Sequence, residues 1–252
     1  MAWDWQVFCR NTTEATLEPR CWAGGGDQTY LQWMLHAWGW TLSVAIAAWF
    51  VAVIVGALVG TARTLPNSPW VVRFANAWVE LFRNIPILVQ LFIWYFVVPK
   101  LFPGFRQVPG FLLVVFALGF FTSARIAEQV RAGVQALPRG QRNAGMAMGF
   151  TTAQTYRYVI LPMAFRIILP PLTSESMNLL KNSSVAFAVS IAELTMFAMQ
   201  AQEETSRGIE IYLAVTGLYA LSAFAVNRLF AFIERRVQIP GFIVAGGTGG
   251  GH

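Results

Sequence analysis

Five polar residues stand close together in a part of the sequence that is otherwise apolar. Ser174, Glu175, Asn178 and Asn182 recur at i, i+1, i+4 and i+8, so a helix places them on one side, and Lys181 lies next to that face. A charged group inside a membrane-spanning helix is costly, and it normally faces a cavity or a charged partner. The face therefore has the chemistry to meet a small charged molecule at membrane depth.

Patterns for catalysis, nucleotide binding or metal binding do not accompany this face. The sequence contains no GxxxxGK[ST], no HExxH, no GxSxG and no CxxC, and His36 and His252 are far apart. We therefore expect neither an enzyme nor a cofactor or metal in this chain. The net charge of +6 does not indicate nucleic acid, because the cations flank apolar runs as in membrane proteins.

Apolar runs of membrane length make up most of the chain. Of the 252 residues, 56 % are hydrophobic and 12 % are charged, which predicts one all-α membrane domain. The predicted spans are 39–62, 85–98, 111–124, a fourth beginning near either 165 or 185, and 211–233. Pro86 predicts a kink in the second span, and Gly56 and Gly60 form a small-xxx-small pair suited to close helix packing.

The remaining segments lie outside these spans. Residues 1–36 are rich in Trp and predict an external or interfacial segment that precedes a transmembrane domain of 37–240. Their start lacks the pattern of a cleaved signal peptide. Cys9 and Cys21 either pair in an oxidising compartment or stay free thiols. The glycine-rich residues 241–252 predict a disordered tail.

Basic residues are distributed unevenly between the predicted loops. The segments 63–83, 125–181 and 228–236 hold thirteen of the eighteen Lys and Arg residues. Because basic residues accumulate on the cytoplasmic side, this predicts an external N-terminus and a cytoplasmic C-terminus.

The most basic of these segments contains a long loop, predicted at about 125–165. Pro138 breaks the preceding helix, and residues 143–149 are rich in Ala, Met and Gly, which predicts a short helix with little side-chain bulk. Such a helix fits a groove on another protein, with adaptable Met side chains. The alternative is an ordinary connector at the membrane surface.

The loop resembles the EAA motif of bacterial ABC-importer permeases. In that motif a Gly and then an Ile-x-Leu-Pro element follow EAA at fixed distances. The residues at the same spacing are Asn143, Ala144, Gly145, Gly149, Val159, Leu161 and Pro162. Asn replaces the glutamate and Gly replaces the second alanine, which affects polar contacts of that glutamate but leaves the docking geometry intact.

Further segments are similar to the polar-amino-acid branch of that family. They are ELFRNIP at 80–86, EQVRAG at 128–133, PRGQ at 138–141, KNSS at 181–184 and ELT at 193–195. The resemblance covers about 39–240, and within the branch these segments are most similar to glutamate/aspartate importer permeases. Glu80 and Arg83 are expected to pair with each other, and Glu193 is expected either as a polar contact within the membrane or as an external gate.

The resemblance implies a type I ABC-importer permease fold of about five transmembrane helices in the bacterial inner membrane. It implies that the short helix is a coupling helix, held in a cleft of a cytoplasmic ABC ATPase dimer that binds ATP-Mg. Other implied partners are a second permease chain (a sister subunit or a second copy), a periplasmic amino-acid-binding protein and membrane lipid, but no nucleic acid. The implied coupling positions are Gly140, Gln141, Asn143, Ala144, Gly145, Gly149, Leu161 and Pro162.

The same resemblance starts the fourth span near 162–170, so that the polar face lines a translocation path. Lys181, Asn182 and Ser183 are then expected to receive substrate carboxylates, with Glu175 or Asn178 at the ammonium group. In the alternative, the span begins at Ser183 and Lys181 marks the membrane interface. Alternatives for the function are a permease for glutamine or for several polar amino acids, or a secondary transporter, although the internal repeats typical of the latter are absent.

Overall fold

A computed structural model describes residues 3–23 and 28–237, and in these ranges the ordered elements are helices. Two isolated β-bridges, Arg10 to Leu17 and Asn11 to Thr29, lie in the N-terminal segment. The predicted all-α fold is confirmed. The glycine-rich tail predicted at 241–252 falls outside the described residues.

The helices include three that are long and apolar enough to cross a membrane, or five if each of two bent pairs counts as one span. This agrees with the five predicted spans. The helices are α1 (Tyr30–Ala62), α2 (Pro69–Asn84), α3 (Ile87–Leu101), α4 (Gly110–Gln135), α5 (Arg139–Ala147), α6 (Thr152–Val189), α7 (Leu194–Thr205) and α8 (Gly208–Val237). The three long ones are α1, α4 and α8, and the bent pairs are α2–α3 and α6–α7.

The kink predicted at Pro86 is a complete break. Ile85, which precedes the proline, is extended, and Pro86 caps α3, so that α2 and α3 meet at 106°. Gln90 donates through Nε2 to the carbonyls of Phe82 and Ile85, each at 2.8 Å. These bonds satisfy two carbonyls that the break would otherwise leave without partners.

The helix that contains the predicted fourth span begins at Thr152, earlier than either predicted start of the span. α6 consists of a first turn, a π-helical stretch (Tyr156–Ile160), an α-helical stretch (Leu161–Asn182) and a 3-10 end. Pro162 lacks an N–H group, and the π stretch lies directly ahead of it. Lys181 therefore lies inside a helix that begins at Thr152, and the two predicted starts of the membrane span within that helix stay predictions.

The predicted loop at 125–165 is also shorter in the structure. α4 continues to Gln135 and includes Arg125, Glu128 and Arg131. Each of these charges has a partner of opposite charge, either on a neighbouring element or on α4 itself. The helix therefore continues through them. The segment between α4 and α6 is reduced to 136–151, which contains α5.

The centre of the bundle is the contact between α1 and α4. A Cβ atom at Gly56 would lie 2.7 Å from Ile126, and one at Gly60 would lie 2.6 Å from Val130. The predicted small-xxx-small pair therefore does permit close helix packing, since any larger residue would force the helices apart.

The N-terminal segment covers one end of this bundle. Cys9 and Cys21 form a disulfide, which settles the choice left open by the sequence. Val7 and Phe8 are buried against Tyr30 of α1 and residues of α7 and α8. α1 begins at Tyr30 behind a Thr29 capping box, so the last part of the predicted 1–36 segment belongs to the helix.

Candidate functional site

The short helix predicted in the loop is present as α5, but it begins and ends earlier than 143–149. Pro138 precedes its first residue, and it ends where Gly149 adopts φ +84°. Gly149 N–H donates to Met146 O at 3.0 Å and Phe150 N–H donates to Gly145 O at 3.1 Å. This is a Schellman ending, which requires a left-handed residue at the position that Gly149 occupies.

The two faces of α5 differ in what they contact. Gly145 is buried, and a Cβ atom there would lie 2.9 Å from Thr155 Cγ2 in the first turn of α6. Asn143, Ala144 and Met146 are exposed. α5 thus packs closely on α6 through a glycine and leaves its small side chains and its methionines exposed.

The other predicted coupling residues are divided between α5 and α6. Gly140 has open space around its Cα, and Gln141 is half-buried in the same helix. Leu161 and Pro162 are not part of α5, because they open the α-helical stretch of α6. Thr151, between the two helices, caps α6 through a capping box with Gln154.

Tyr156 connects this segment to the bundle, and sequence reasoning missed it. Its side chain is buried with Leu137, Ile160 and Ala164, and its hydroxyl donates to Thr64 O at the end of α1. Tyr156 is one of three aromatic residues between Gly149 and Leu161, and nothing in the spacing of the motif distinguishes it from Phe150 and Tyr158.

Glu128 of α4 gathers the charges at this end of the bundle. Its carboxylate lies 2.8 Å from Arg63 Nη1, 2.9 Å from Arg131 Nη2 and 3.2 Å from Arg83 Nη1. The predicted pairing of Arg83 with Glu80 is wrong, because α2 directs Arg83 towards α4 and leaves Glu80 exposed. The one carboxylate ties α1, α2 and α4 together.

The polar face predicted on the fourth span is divided between two sets of neighbours. Glu175 is buried and its Oε2 atom lies 3.7 Å from Arg125 Nη1 of α4. Asn178 and Asn182 are half-buried further along α6, and Ser183 is buried with its hydroxyl donating to Leu180 O. The first carboxylate of the face therefore already has a cation beside it.

Lys181 faces α7 and α8 instead. It lines a cavity of about 310 Å³ together with hydroxyl groups from three helices. Those hydroxyl-bearing residues are Ser184, Thr195, Tyr212, Thr216 and Tyr219. An ammonium group is suited to binding a carboxylate, since it donates charge-assisted hydrogen bonds, whereas the Tyr219 hydroxyl in the same lining already donates to Glu193.

Glu193 is a polar contact inside the bundle and caps a helix. It is fully buried, and its carboxylate accepts from the N–H groups of Thr195 and Met196 at 2.8 and 3.0 Å at the start of α7. Tyr219 of α8 donates to it at 3.0 Å. Three donors thus satisfy this carboxylate at the bend between α6 and α7.

The chain matches a known protein family over most of its length. Residues 52–239 match the family described as the binding-protein-dependent transport system inner membrane component. The chain belongs to this family. It is therefore a transport permease of the inner membrane, and the family predicted from the EAA spacing is confirmed.

Curated relatives of the permease share most of its length. The glutamate/aspartate import permease protein GltJ of Escherichia coli (strain K12) is 39 % identical over 249 residues, which cover 95 % of this permease and 96 % of GltJ. The probable glutamine ABC transporter permease protein GlnM of Bacillus subtilis (strain 168) is 33 % identical over 200 residues, which cover 79 % of this permease and 90 % of GlnM.

Solved structures confirm the predicted permease fold. The crystal structure of an amino acid ABC transporter with histidines has a TM-score of 0.71 and 31 % identity, and the match covers 82 % of this permease and 95 % of that chain. An inward-facing structure of the MetNI methionine ABC transporter has a TM-score of 0.71 at 23 % identity over 83 % of this permease and 98 % of that chain, which supports the fold alone.

Proposed function

We propose that this permease is the membrane-spanning subunit of an ATP-driven importer whose substrates are glutamate and aspartate. GltJ carries that activity in its name and matches 95 % of the chain at 39 % identity. GlnM, named for glutamine, matches 79 % at 33 % identity. The comparison favours the acidic substrates, and glutamine is the alternative that the transport experiment below separates from them.

The position of α5 supports the coupling of this permease to a cytoplasmic ABC ATPase dimer. The exposed side of α5 is small and methionine-rich, and such a surface fits a cleft of a partner. The partner binds and hydrolyses ATP-Mg, so this chain is a transport subunit and not an enzyme. A second permease chain, either a sister or a second copy, supplies the other coupling helix, and a periplasmic binding protein delivers the substrate.

The observation that carries the proposed coupling to the ATPase is the contact of Gly145 with Thr155. The missing side chain lets α5 lie directly on the first turn of α6, which then continues to Val189. Movement of α5 by the ATPases is therefore transmitted to a helix that carries Glu175 and Lys181. The orientation predicted from the basic residues makes the N-terminal segment periplasmic, where its disulfide is stable, and the C-terminus cytoplasmic.

The substrate path is assigned to the Lys181 side of α6. Lys181 and the hydroxyls around its cavity are suited to a substrate carboxylate, while Asn178, Asn182 and Ser183 continue the polar surface along the helix. Glu175 is paired with Arg125, so its charge is partly balanced before any ammonium group arrives.

The test is uptake of labelled glutamate, aspartate or glutamine by proteoliposomes that contain the permease with its ATPase and receive the binding protein outside. ATP-dependent uptake of the two acidic amino acids supports the proposal. Preferential uptake of glutamine would replace the substrate, and uptake by the chain alone on an ion gradient would identify a secondary transporter instead.

The role of Lys181 is tested separately with Lys181→Met. We expect uptake at low substrate concentration to fall about tenfold, the effect of one lost charge-assisted hydrogen bond. Lys100→Met, at an exposed position outside the cavity, is the matched control. Equal uptake by the two variants would remove Lys181 from the path while leaving the importer proposal intact.

A further inference from the structure

A second polar cavity lies at the end of the bundle that carries α5. It has a volume of about 450 Å³ and is formed by the last residues of α1 and α4, the beginning of α5 and the first turns of α6. This volume lies within the range of small-molecule sites. Its polar lining consists of Arg63, Thr64, Gln135, Arg142 and Tyr156.

The cavity has an excess of positive charge. Among the described residues that line it, none is acidic, and two are arginines. Arg63 shares the carboxylate of Glu128 with two further arginines, so one negative charge faces three guanidinium groups. Arg142 makes no ion pair within the ranges 3–23 and 28–237. The fixed charges of the protein therefore leave this site short of an anion.

The side of α5 that borders the cavity differs from its partner-facing side. Arg142 and Gly145 are three residues apart and share the face directed at the bundle, where Gly145 contacts Thr155. Asn143 and Ala144, one and two residues after Arg142, point away from that face and are exposed. A ligand in the cavity thus leaves the exposed surface of α5 free.

We propose that this cavity binds a phosphate-bearing anion, with Arg142 and Arg63 as its principal ligands. Arginine presents several N–H donors in a planar fork that matches phosphate oxygens. Basic pockets between the ends of membrane-spanning helices are suited to anionic lipid headgroups, and a soluble phosphate offers the same oxygens. The bound anion would join α5 to the ends of α1 and α4, and this function is independent of the substrate and of ATP hydrolysis.

The test compares the full-length permease, purified with its partner subunits, in two kinds of nanodisc. One contains phosphatidylcholine alone and the other contains phosphatidylcholine with phosphatidylglycerol, and native mass spectrometry counts the lipids retained. We expect wild type to retain phosphatidylglycerol in preference, Arg142→Gln to reduce that retention about tenfold, and Arg142→Lys to keep most of it.

Arg157→Gln is the matched control, because it removes the same charge from an exposed position on α6 outside the cavity lining. In the phosphatidylcholine nanodiscs, inorganic phosphate is added and the melting temperature is measured. Stabilisation of wild type but not of Arg142→Gln by phosphate, without a preference for phosphatidylglycerol, assigns the site to a soluble anion. Equal behaviour of Arg142→Gln and Arg157→Gln with both probes would overturn the proposal.

Discussion

The two ends of the bundle are held together by different kinds of interaction. At the end covered by the N-terminal segment, the Cys9–Cys21 disulfide holds a folded segment, and Val7 and Phe8 pack into a buried aromatic and aliphatic cluster. Asp4 N–H donates to Glu210 at 2.9 Å, which ties this segment to α8. A covalent bond and buried apolar contacts hold this end, and two ion pairs, from Asp4 to Arg10 and to Arg207, add to them.

The end that carries α5 depends on charges that remain accessible to water. Glu128 holds three arginines, and the side chain of Arg83 among them is 53 % exposed. An exposed ion pair such as Arg83–Glu128 exchanges for water at little free-energy cost, whereas a disulfide and a buried cluster do not. We call the end covered by the N-terminal segment the fixed end and the end that carries α5 the movable end.

The largest effect on transport is expected from Gly145→Val at the movable end. A Cβ atom added at this glycine would lie 2.9 Å from Thr155 Cγ2, so valine separates α5 from α6 and interrupts the transmission of movement between them. We expect ATP-dependent uptake to fall more than about tenfold, the equivalent of about 1.4 kcal/mol. Gly217→Val in α8, where the space around the Cα is also open and no coupling role is predicted, is the control. Similar uptake by both variants would contradict a direct α5–α6 contact.

Removal of the disulfide tests the fixed end. Cys9→Ser with Cys21→Ser opens a loop with a sequence separation of 12, and such cross-links typically stabilise by about 2–4 kcal/mol. We expect the N-terminal segment to become sensitive to protease while the coupling end keeps its protection from hydrogen exchange. Loss of protection in α5 as well would mean that the two ends are not independent.

A smaller effect is expected from Glu128→Gln, which removes three ion pairs at once. The three guanidinium groups are then left without their shared carboxylate, and we expect a loss of about 1–3 kcal/mol in stability. High salt should reduce the difference from wild type, because it screens the repulsion. Glu80→Gln on exposed α2 surface is the control, and thermal unfolding of both variants in detergent is the measurement.

The smallest effect is expected from Tyr30→Phe at the fixed end. The tyrosine hydroxyl donates to Glu204 at 2.8 Å, and its loss removes one hydrogen bond worth about 1 kcal/mol. Tyr158→Phe, at a position 61 % exposed, should change the melting temperature less. If both changes were equal, the bond to Glu204 would contribute nothing to holding the N-terminal end.

The sequence predicted the parts of the fold that depend on local pattern. Apolar length located the spans, Gly56 and Gly60 indicated the tight helix contact, and the EAA spacing located α5. α5 itself was placed too late in the chain, because Arg139 and Gly140 precede the Ala- and Met-rich residues from which the helix was predicted. The structure adds them because a helix is able to start directly behind Pro138.

The contacts between side chains on different helices were not predictable from the sequence in the same way. Glu175 and Lys181 are six residues apart, which on an α-helix separates them by about 120° of rotation. Sequence spacing treated them as neighbours of one face, but α4 supplies a cation to Glu175 and α7 and α8 surround Lys181. Likewise Arg83 forms its ion pair with Glu128 of α4 and not with Glu80 of its own helix, because the break at Pro86 sets the direction of α2.

The π-helical stretch at Tyr156–Ile160 has a mechanical consequence. A π turn holds one residue more than an α turn, so this stretch, between α5 and the membrane part of α6, contains one residue more than a regular α-helical turn would. If a push on α5 converted it to regular α-helix, the residues beyond it would rotate by about 100° and shift by about 1.5 Å relative to those before it. A linear thrust would then reach Lys181 as a screw motion, turning the cavity-facing side chain rather than merely displacing it.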